Sequence, residues 1–186
     1  MRNLAFAAAL VLAASAFPAA PAAAQGTGGF QFGLKGGLSV PTSDTKDAFD
    51  DGYHGGLVLS YELPALPLGL RIDGDYHHFS AKTGGTNLSG SAQIFDGNAN
   101  LVFGIRIIAV KVYALGGGGL YNVKLKAENA AGSVSTSDTQ FGWNGGAGVA
   151  LVVGKVSIFG EARYHEVTLG DNGKFKFVAA SGGVLF

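Results

Sequence analysis

Three histidines and one aspartate occupy alternating positions in apolar segments, where they share one face of each segment. They are His54, His77 and His165, with Asp75. Imidazole nitrogens and a carboxylate are ligands that Zn²⁺ accepts. However, these residues come from three separate segments and form no short-spaced ligand motif. We therefore expect polar packing in the protein interior, and we predict no metal site and no cofactor.

His78 and Ser80 form a second candidate, because a histidine can activate a serine as a nucleophile. The two residues stand two positions apart at the end of an apolar segment. A catalytic base also needs a third group that orients it. The sequence offers no identifiable acidic partner for His78, so we predict no catalytic residue and no enzymatic activity.

Opposite charges alternate with apolar residues in two segments far apart in the chain. Arg71, Asp73 and Asp75 lie in one segment, and Glu161 and Arg163 lie in the other. Alternation places all five on the same side of their strands. An unpaired buried charge costs several kcal/mol, so these residues are predicted to form a network of ion pairs. The alternative interpretation is a pathway for ions or small solutes.

The elements that position these residues are short strands, since apolar and polar residues alternate with period two. After residue 24, no stretch of 18 apolar residues indicates a transmembrane helix. The strands number eight, an even count typical of bacterial single-chain barrels, and are long enough to cross a bilayer. We predict an all-β protein, an eight-stranded antiparallel up-and-down transmembrane β-barrel. The predicted strands are residues 30–40, 53–62, 68–79, 95–103, 110–125, 141–153, 156–165 and 174–186.

The apolar face of these strands carries aromatic residues at two heights, with aliphatic residues between them. Two such belts match the two interfaces of a bilayer. A soluble barrel with its apolar face inside is the alternative, but it would not need aromatics sorted by height. The first predicted belt is Phe30, Tyr61, Phe103, Tyr113 and Phe186. The second is Tyr53, Tyr76, Phe95, Tyr121, Trp143 and Tyr164.

Short and long connections alternate between the predicted strands, as they do in outer-membrane barrels. The short ones are residues 63–67, 104–109 and 154–155. The long, polar ones are residues 41–52, 80–94, 126–140 and 166–173. With both chain ends on the side of the short turns, we expect the long loops to face outward from the cell.

Composition and the chain ends favour an exported protein. Residues 1–24 combine Arg2, an apolar run of 11 residues and a small-residue cleavage pattern, which predicts a signal peptide cut between Ala24 and Gln25. Residues 25–186 then form the barrel domain. The chain contains no cysteine, and its 13 basic and 13 acidic side chains leave no basic excess that would point to nucleic acid.

Four segments resemble the small outer-membrane β-barrel family of opacity-type, porin-like proteins. They are Leu70-Arg71-Ile72-Asp73-Gly74-Asp75-Tyr76, the glycine-rich residues 113–121, residues 141–149 and residues 159–165. The resemblance implies location in the outer membrane of a Gram-negative bacterium. It also implies that the terminal strand, with Gly182, Val184 and Phe186, carries the assembly signal. From the strand layout we expect Phe186 to close the barrel beside the first strand, near Phe30.

Several functions and partners remain open under this resemblance. The predicted role is structural, surface-interacting or envelope-stabilising. A narrow porin-like channel is one alternative. A lipid A hydrolase is the other, because outer-membrane lipid deacylases resemble this chain in having a His-x-Ser pair. Expected partners are outer-membrane lipid, lipopolysaccharide and the outer-membrane assembly machinery, with an unknown surface ligand and a monomeric state.

Overall fold

The computed structural model describes residues 29–63, 66–82, 89–129, 132–169 and 173–186. The predicted signal peptide, with Ala24 and Gln25, lies outside these residues. The described chain has one short helix, α1 (Thr45–Ala48), and eight strands. The strands are β1 (Gly29–Pro41), β2 (Gly52–Glu62), β3 (Leu68–Ser80), β4 (Ser89–Ile107), β5 (Val110–Asn129), β6 (Gly132–Val153), β7 (Val156–Thr168) and β8 (Lys174–Leu185).

The strands form the closed antiparallel barrel that the sequence predicted. Each strand pairs with the next, and β8 pairs with β1. Phe186 extends this last ladder, because its N–H donates to Phe32 O at 2.8 Å and its carbonyl accepts from Phe32 N at 3.2 Å. Phe186 thus closes the barrel beside β1, at Phe32, two residues along the strand from Phe30. Closure leaves no free sheet edge to pair with another chain.

Strands β4, β5 and β6 are longer than predicted. The turn between β4 and β5 is only Ile108-Ala109, since Gly104 to Ile107 continue the ladder. The predicted loop 126–140 is wrong, because residues 123–129 pair with residues 132–138 as an extended hairpin. The error arose because serine- and threonine-rich strands above a membrane lose apolar alternation, which was the signal used to define strands.

The outside of the barrel is apolar. Leu57, Ile72, Leu101 and Val149 are each more than half exposed, as lipid-facing side chains of an isolated barrel should be. Neighbouring aromatics pair along the two rims, with ring centroids 4.7 Å apart for Phe30–Tyr61, 4.6 Å for Tyr76–Phe95 and 5.4 Å for Trp143–Tyr164. None of the described helices is long and apolar enough to cross a membrane.

The predicted faces of β5 are wrong by one residue. Tyr113 and Tyr121 were assigned to the belts, yet both point into the lumen and are almost fully buried. The outward positions are Ala114 and Leu120 instead. Four consecutive glycines, 116–119, separate the two halves of the strand and carry no side-chain signal for either face. The remaining belt tyrosines, with Phe103 and Trp143, stay on the outer surface.

The lumen is layered along the barrel axis. The outer cluster packs at the end that carries α1; the inner cluster packs at the end that carries the chain termini. Between them lie buried charged, amide and imidazole side chains. The outer cluster consists of Phe79, Ala92, Ile94, Tyr121, Val123, Val167, Phe175, Phe177 and Ala179. The inner cluster consists of Val58, Val102, Tyr113, Leu115, Ala150 and Phe159.

Candidate functional site: the polar lumen

Asp73 is the centre of the lumen charges and is fully buried. Its Oδ1 lies 2.9 Å from Lys35 Nζ and 2.9 Å from Arg71 Nη2. Its Oδ2 lies 3.2 Å from Arg163 Nη1 and accepts a hydrogen bond from Asn100 at 3.0 Å. Three cations therefore surround one carboxylate, and this arrangement compensates part of the cost of burying it.

Glu161 of β7 contacts the same two arginines, Arg71 across the lumen and Arg163 on its own strand. Its Oε2 lies 2.8 Å from Arg71 Nη1, and its Oε1 lies 2.7 Å from Arg163 Nη2. Tyr113 donates its hydroxyl proton to Oε2 at 2.9 Å. Because β3 and β7 stand on opposite sides of an eight-stranded barrel, the Arg71–Glu161 contact spans the lumen.

The structure thus brings together the five residues from which the sequence predicted a network. Asp75 joins through Lys35, whose Nζ lies 2.8 Å from Asp75 Oδ2. Sequence reasoning left Lys35 and Tyr113 out of the network. Lys35 is the charged residue of β1, and the excess of carboxylates on β3 could have indicated it as their partner. For Tyr113 the signal in the sequence was Lys111, a charged residue two positions earlier that shares the face of Tyr113 and lies over its ring.

The histidines form a layer between these charges and the outer cluster. Ser39 Oγ contacts His54 Nδ1 at 3.0 Å and His77 Nδ1 at 2.8 Å. His54 Nε2 contacts Ser181 Oγ at 2.8 Å. His165 Nδ1 contacts the Tyr121 hydroxyl at 2.9 Å, and its ring stacks on Phe177. His54 and His165 therefore have hydroxyl partners.

His78 and Ser80 lie on the outer face of β3, away from this layer. His78 packs beside the ring of Tyr53, with centroids 5.3 Å apart, and Ser80 is exposed. His78 Nδ1 has no hydrogen-bond partner among the described residues. Among the described residues, none is seen to orient His78 through Nδ1 as the third group of a catalytic site would.

Comparison with known proteins decides the family. The sequence profile for the outer membrane protein beta-barrel domain matches residues 9–186. The chain belongs to this family. It is an integral protein of the outer membrane, and the apolar outer surface is that of a barrel in lipid. No curated protein sequence matches the chain.

Solved outer-membrane barrels share the fold. Neisserial surface protein A is 16% identical, with a TM-score of 0.61, and the alignment covers 85% of this chain and 97% of that one. Ail, the attachment invasion locus protein of Yersinia pestis, is 18% identical, with a TM-score of 0.57 and coverage of 87% and 100%. OprG from Pseudomonas aeruginosa is 13% identical, with a TM-score of 0.56 and coverage of 87% and 98%.

Proposed function

We propose that this outer-membrane barrel is a structural and surface-contact protein and does not conduct solutes. The supporting observation is the lumen, in which ion pairs join opposite walls between two apolar clusters. In the outer cluster, Phe79 of β3 contacts Phe175 and Phe177 of β8 with ring centroids 5.4 Å apart. A solute would have to break both the ion pairs and this packing.

The surface-contact part of the proposal rests on the β5–β6 hairpin. Its strands stay paired beyond Tyr121 up to Asn129 and Gly132. Asn122 supports the pairing with side-chain hydrogen bonds to Thr139 and Ser137, at 2.9 and 3.1 Å. Side chains 135–139 are exposed. A paired hairpin presents such groups at lower entropic cost than an open loop does.

The proposed partners follow from the outer surface. The apolar band between the aromatic rims would contact membrane lipid, and the rim that carries the long connections would contact lipopolysaccharide. The assembly machinery would recognise the terminal strand with Gly182, Val184 and Phe186. The closed barrel has no free edge strand, which supports a monomer.

A shortened hairpin tests surface contact. Replacing residues 127–134 by Asn-Gly leaves Lys126 opposite Ser135, a pair that a two-residue turn can close. We expect the variant to fold, as judged by heat-modifiable gel mobility, and to restore detergent resistance to a deletion strain. Cells that carry it should lose self-aggregation and attachment to an epithelial layer. Attachment equal to that of cells with the full hairpin would contradict a surface-contact role.

Two alternatives have less support. The observation that favours a narrow channel is a cavity of about 30 Å³ near Ser60, Arg71 and Tyr113, and it has room for very little water. Lipid A hydrolysis would use His78 and Ser80, and His78 Nδ1 has no hydrogen-bond partner within the described segments. Mass spectrometry of lipid A from an overexpressing strain tests it. A deacylated product that disappears in Ser80→Ala would establish the enzyme.

A further inference from the structure

Three buried polar atoms from neighbouring strands have no hydrogen-bond partner among the described residues. They are Asp75 Oδ1, His77 Nε2 and Asp96 Oδ2. The three side chains belong to residues only 5%, 1% and 8% exposed. Each residue offers a ligand atom, and these atoms lie within 4.8 Å of one another. An unsatisfied buried polar group costs about 1–3 kcal/mol, so three such groups in one cluster of side chains need an explanation.

The other polar atoms of these side chains are held in place. Lys35 Nζ lies 2.8 Å from Asp75 Oδ2, and Asn98 donates to Asp96 Oδ1 at 2.5 Å. His77 Nδ1 contacts Ser39 Oγ at 2.8 Å. Such outer contacts are what orients the ligands of a metal ion.

The hydrogen bonds through Ser39 can also leave His77 Nε2 without a proton, so that its lone pair is free to bind a cation. If His77 Nδ1–H donates to Ser39 Oγ, the serine hydroxyl donates to His54 Nδ1. His54 Nε2–H then donates to Ser181. In the reverse arrangement, His77 Nε2 would carry the proton, but it makes no hydrogen bond although Asp96 Oδ2 is only 3.1 Å away.

The backbone leaves space for the two carboxylates. Asp75 and Asp96 are directly opposite each other in the β3–β4 ladder, where like charges destabilise the pair. Gly56 of β2 is opposite Asp75, and a Cβ at this position would lie 2.0 Å from Asp75 Oδ1. Only glycine therefore lets this carboxylate point towards Asp96 and His77.

We propose that Asp75, His77 and Asp96 bind one divalent transition-metal cation inside the barrel, with Zn²⁺ as the best match. One imidazole and two carboxylates suit Zn²⁺, whereas Ca²⁺ and Mg²⁺ prefer sites made of oxygen alone. Ligands about 2.1 Å from a tetrahedral zinc are separated by about 3.4 Å. The 3.1 Å between His77 Nε2 and Asp96 Oδ2 is close to this value. The cation offsets the repulsion between the Asp75 and Asp96 carboxylates and links β3 to β4.

Uptake of the cation accompanies barrel closure. The ring of Phe177 packs on that of His77, with centroids 4.8 Å apart, and belongs to the outer cluster that covers the histidine layer. The ion pairs of Asp73 lie on the other side of the layer. A cation bound as the strands close is therefore retained against a chelator.

Metal content of refolded protein tests the site. Untagged protein is refolded in detergent with Zn²⁺, treated with a chelator, desalted and measured by mass spectrometry of the metal. We expect about one Zn²⁺ per chain for the natural sequence and at least a tenfold loss for His77→Gln and for Asp96→Asn. His78→Gln is the matched control and should retain Zn²⁺. No retained Zn²⁺ in the natural protein, or equal retention in folded His77→Gln, would overturn the proposal.

X-ray absorption at the zinc edge tests the same site without a variant. We expect a shell of nitrogen and oxygen ligands with the scattering of a single imidazole. A spectrum with two or three imidazoles would place the metal among His54, His77 and His165 and would overturn the proposed ligand set. This measurement stays decisive if a substitution prevents folding.

Discussion

At the residue scale, Asp73 holds the largest concentration of opposite charge in the described lumen. Its carboxylate contacts Lys35, Arg71 and Arg163. Glu161 of β7 contacts both arginines as well. Removing one partner of a buried pair leaves the other charge without compensation, which costs more than the pair contributes when intact. The network should therefore respond as a unit to single substitutions.

Arg163→Ala tests this coupling. It removes the guanidinium from both Glu161 and Asp73, so the free energy of unfolding should fall by roughly 3–5 kcal/mol. Adding Glu161→Ala should restore part of the loss, because it removes a carboxylate left with fewer partners. Urea unfolding in lipid vesicles measures both. Simple additivity in the double-mutant cycle would remove the coupling. Lys174→Ala, which breaks an exposed pair with Glu166, is the control and should change little.

Tyr113→Phe tests the hydroxyl that the sequence placed in a lipid belt. Loss of the hydrogen bond to Glu161 should lower the free energy of unfolding by about 1.5 kcal/mol, since the acceptor is charged. Tyr61→Phe is the control on the outer surface, where the hydroxyl has no buried partner to lose. If the two variants unfold at the same urea concentration, Tyr113 does not donate to Glu161.

At the element scale, β5 shows where sequence periodicity fails to identify the inward face of a strand. The strands with charged inward residues, such as β3 and β7, were placed on the correct face because Arg71, Asp73, Glu161 and Arg163 cannot face lipid. In β5 the inward residues are Tyr113, Leu115, Tyr121 and Val123, which are as apolar as a lipid-facing set. Contacts with other strands, of Tyr113 with Glu161 and of Tyr121 with His165, hold these residues inside.

For the polar lumen, the sequence specifies which charged residues face inward but not which of their atoms meet. Charge alternation was sufficient to predict that Arg71, Asp73, Asp75, Glu161 and Arg163 share the lumen. It could not predict that Asp96 and His77 leave unpaired atoms facing each other, because this depends on the β3–β4 register. Nor could it predict the length of the β5–β6 hairpin, whose polar strands are specified by backbone pairing and not by a lipid-facing pattern.

Single cysteines test the face of β5, and the natural chain has none to interfere. A cysteine at Ala114 should react with a membrane-soluble thiol reagent, because this position faces outward. A cysteine at Leu115 should be protected, because the leucine is 6% exposed within the inner cluster. Reaction rates measured on folded protein in vesicles give the comparison. Faster labelling at 115 than at 114 would restore the face predicted from sequence.

At the scale of the whole molecule, an apolar band that lies in a bilayer makes the cost of a charged substitution depend on its depth in the membrane. Leu57 is opposite Leu34 and Gly74, far from the rims. Leu57→Arg should therefore lower the free energy of unfolding by roughly 2–4 kcal/mol. Leu38→Arg introduces a charge opposite rim residue Tyr53 and should cost about 0–1 kcal/mol. Equal costs in vesicle unfolding would contradict the orientation of the barrel in the membrane.

Phe186 is expected to matter more for assembly than for stability. Deleting it removes its two backbone hydrogen bonds to Phe32 and a half-exposed ring, so the variant should still refold in detergent. In cells, recognition of the terminal strand should fail, and the yield in the outer membrane should drop sharply. Heat-modifiable mobility and membrane yield are measured on the same variant. A normal yield would show that Phe186 is not the assembly signal.

The closed lumen is the central feature of the molecule, and planar-bilayer recording tests it most directly. The lumen-spanning contacts of Asp73 and Glu161 and the packing of Phe79 with Phe177 would have to open before an ion could pass. Purified protein inserted into a bilayer should therefore give no stable conductance steps at any salt concentration. Stable ohmic steps whose size rises with salt concentration would contradict a filled barrel and would establish a channel.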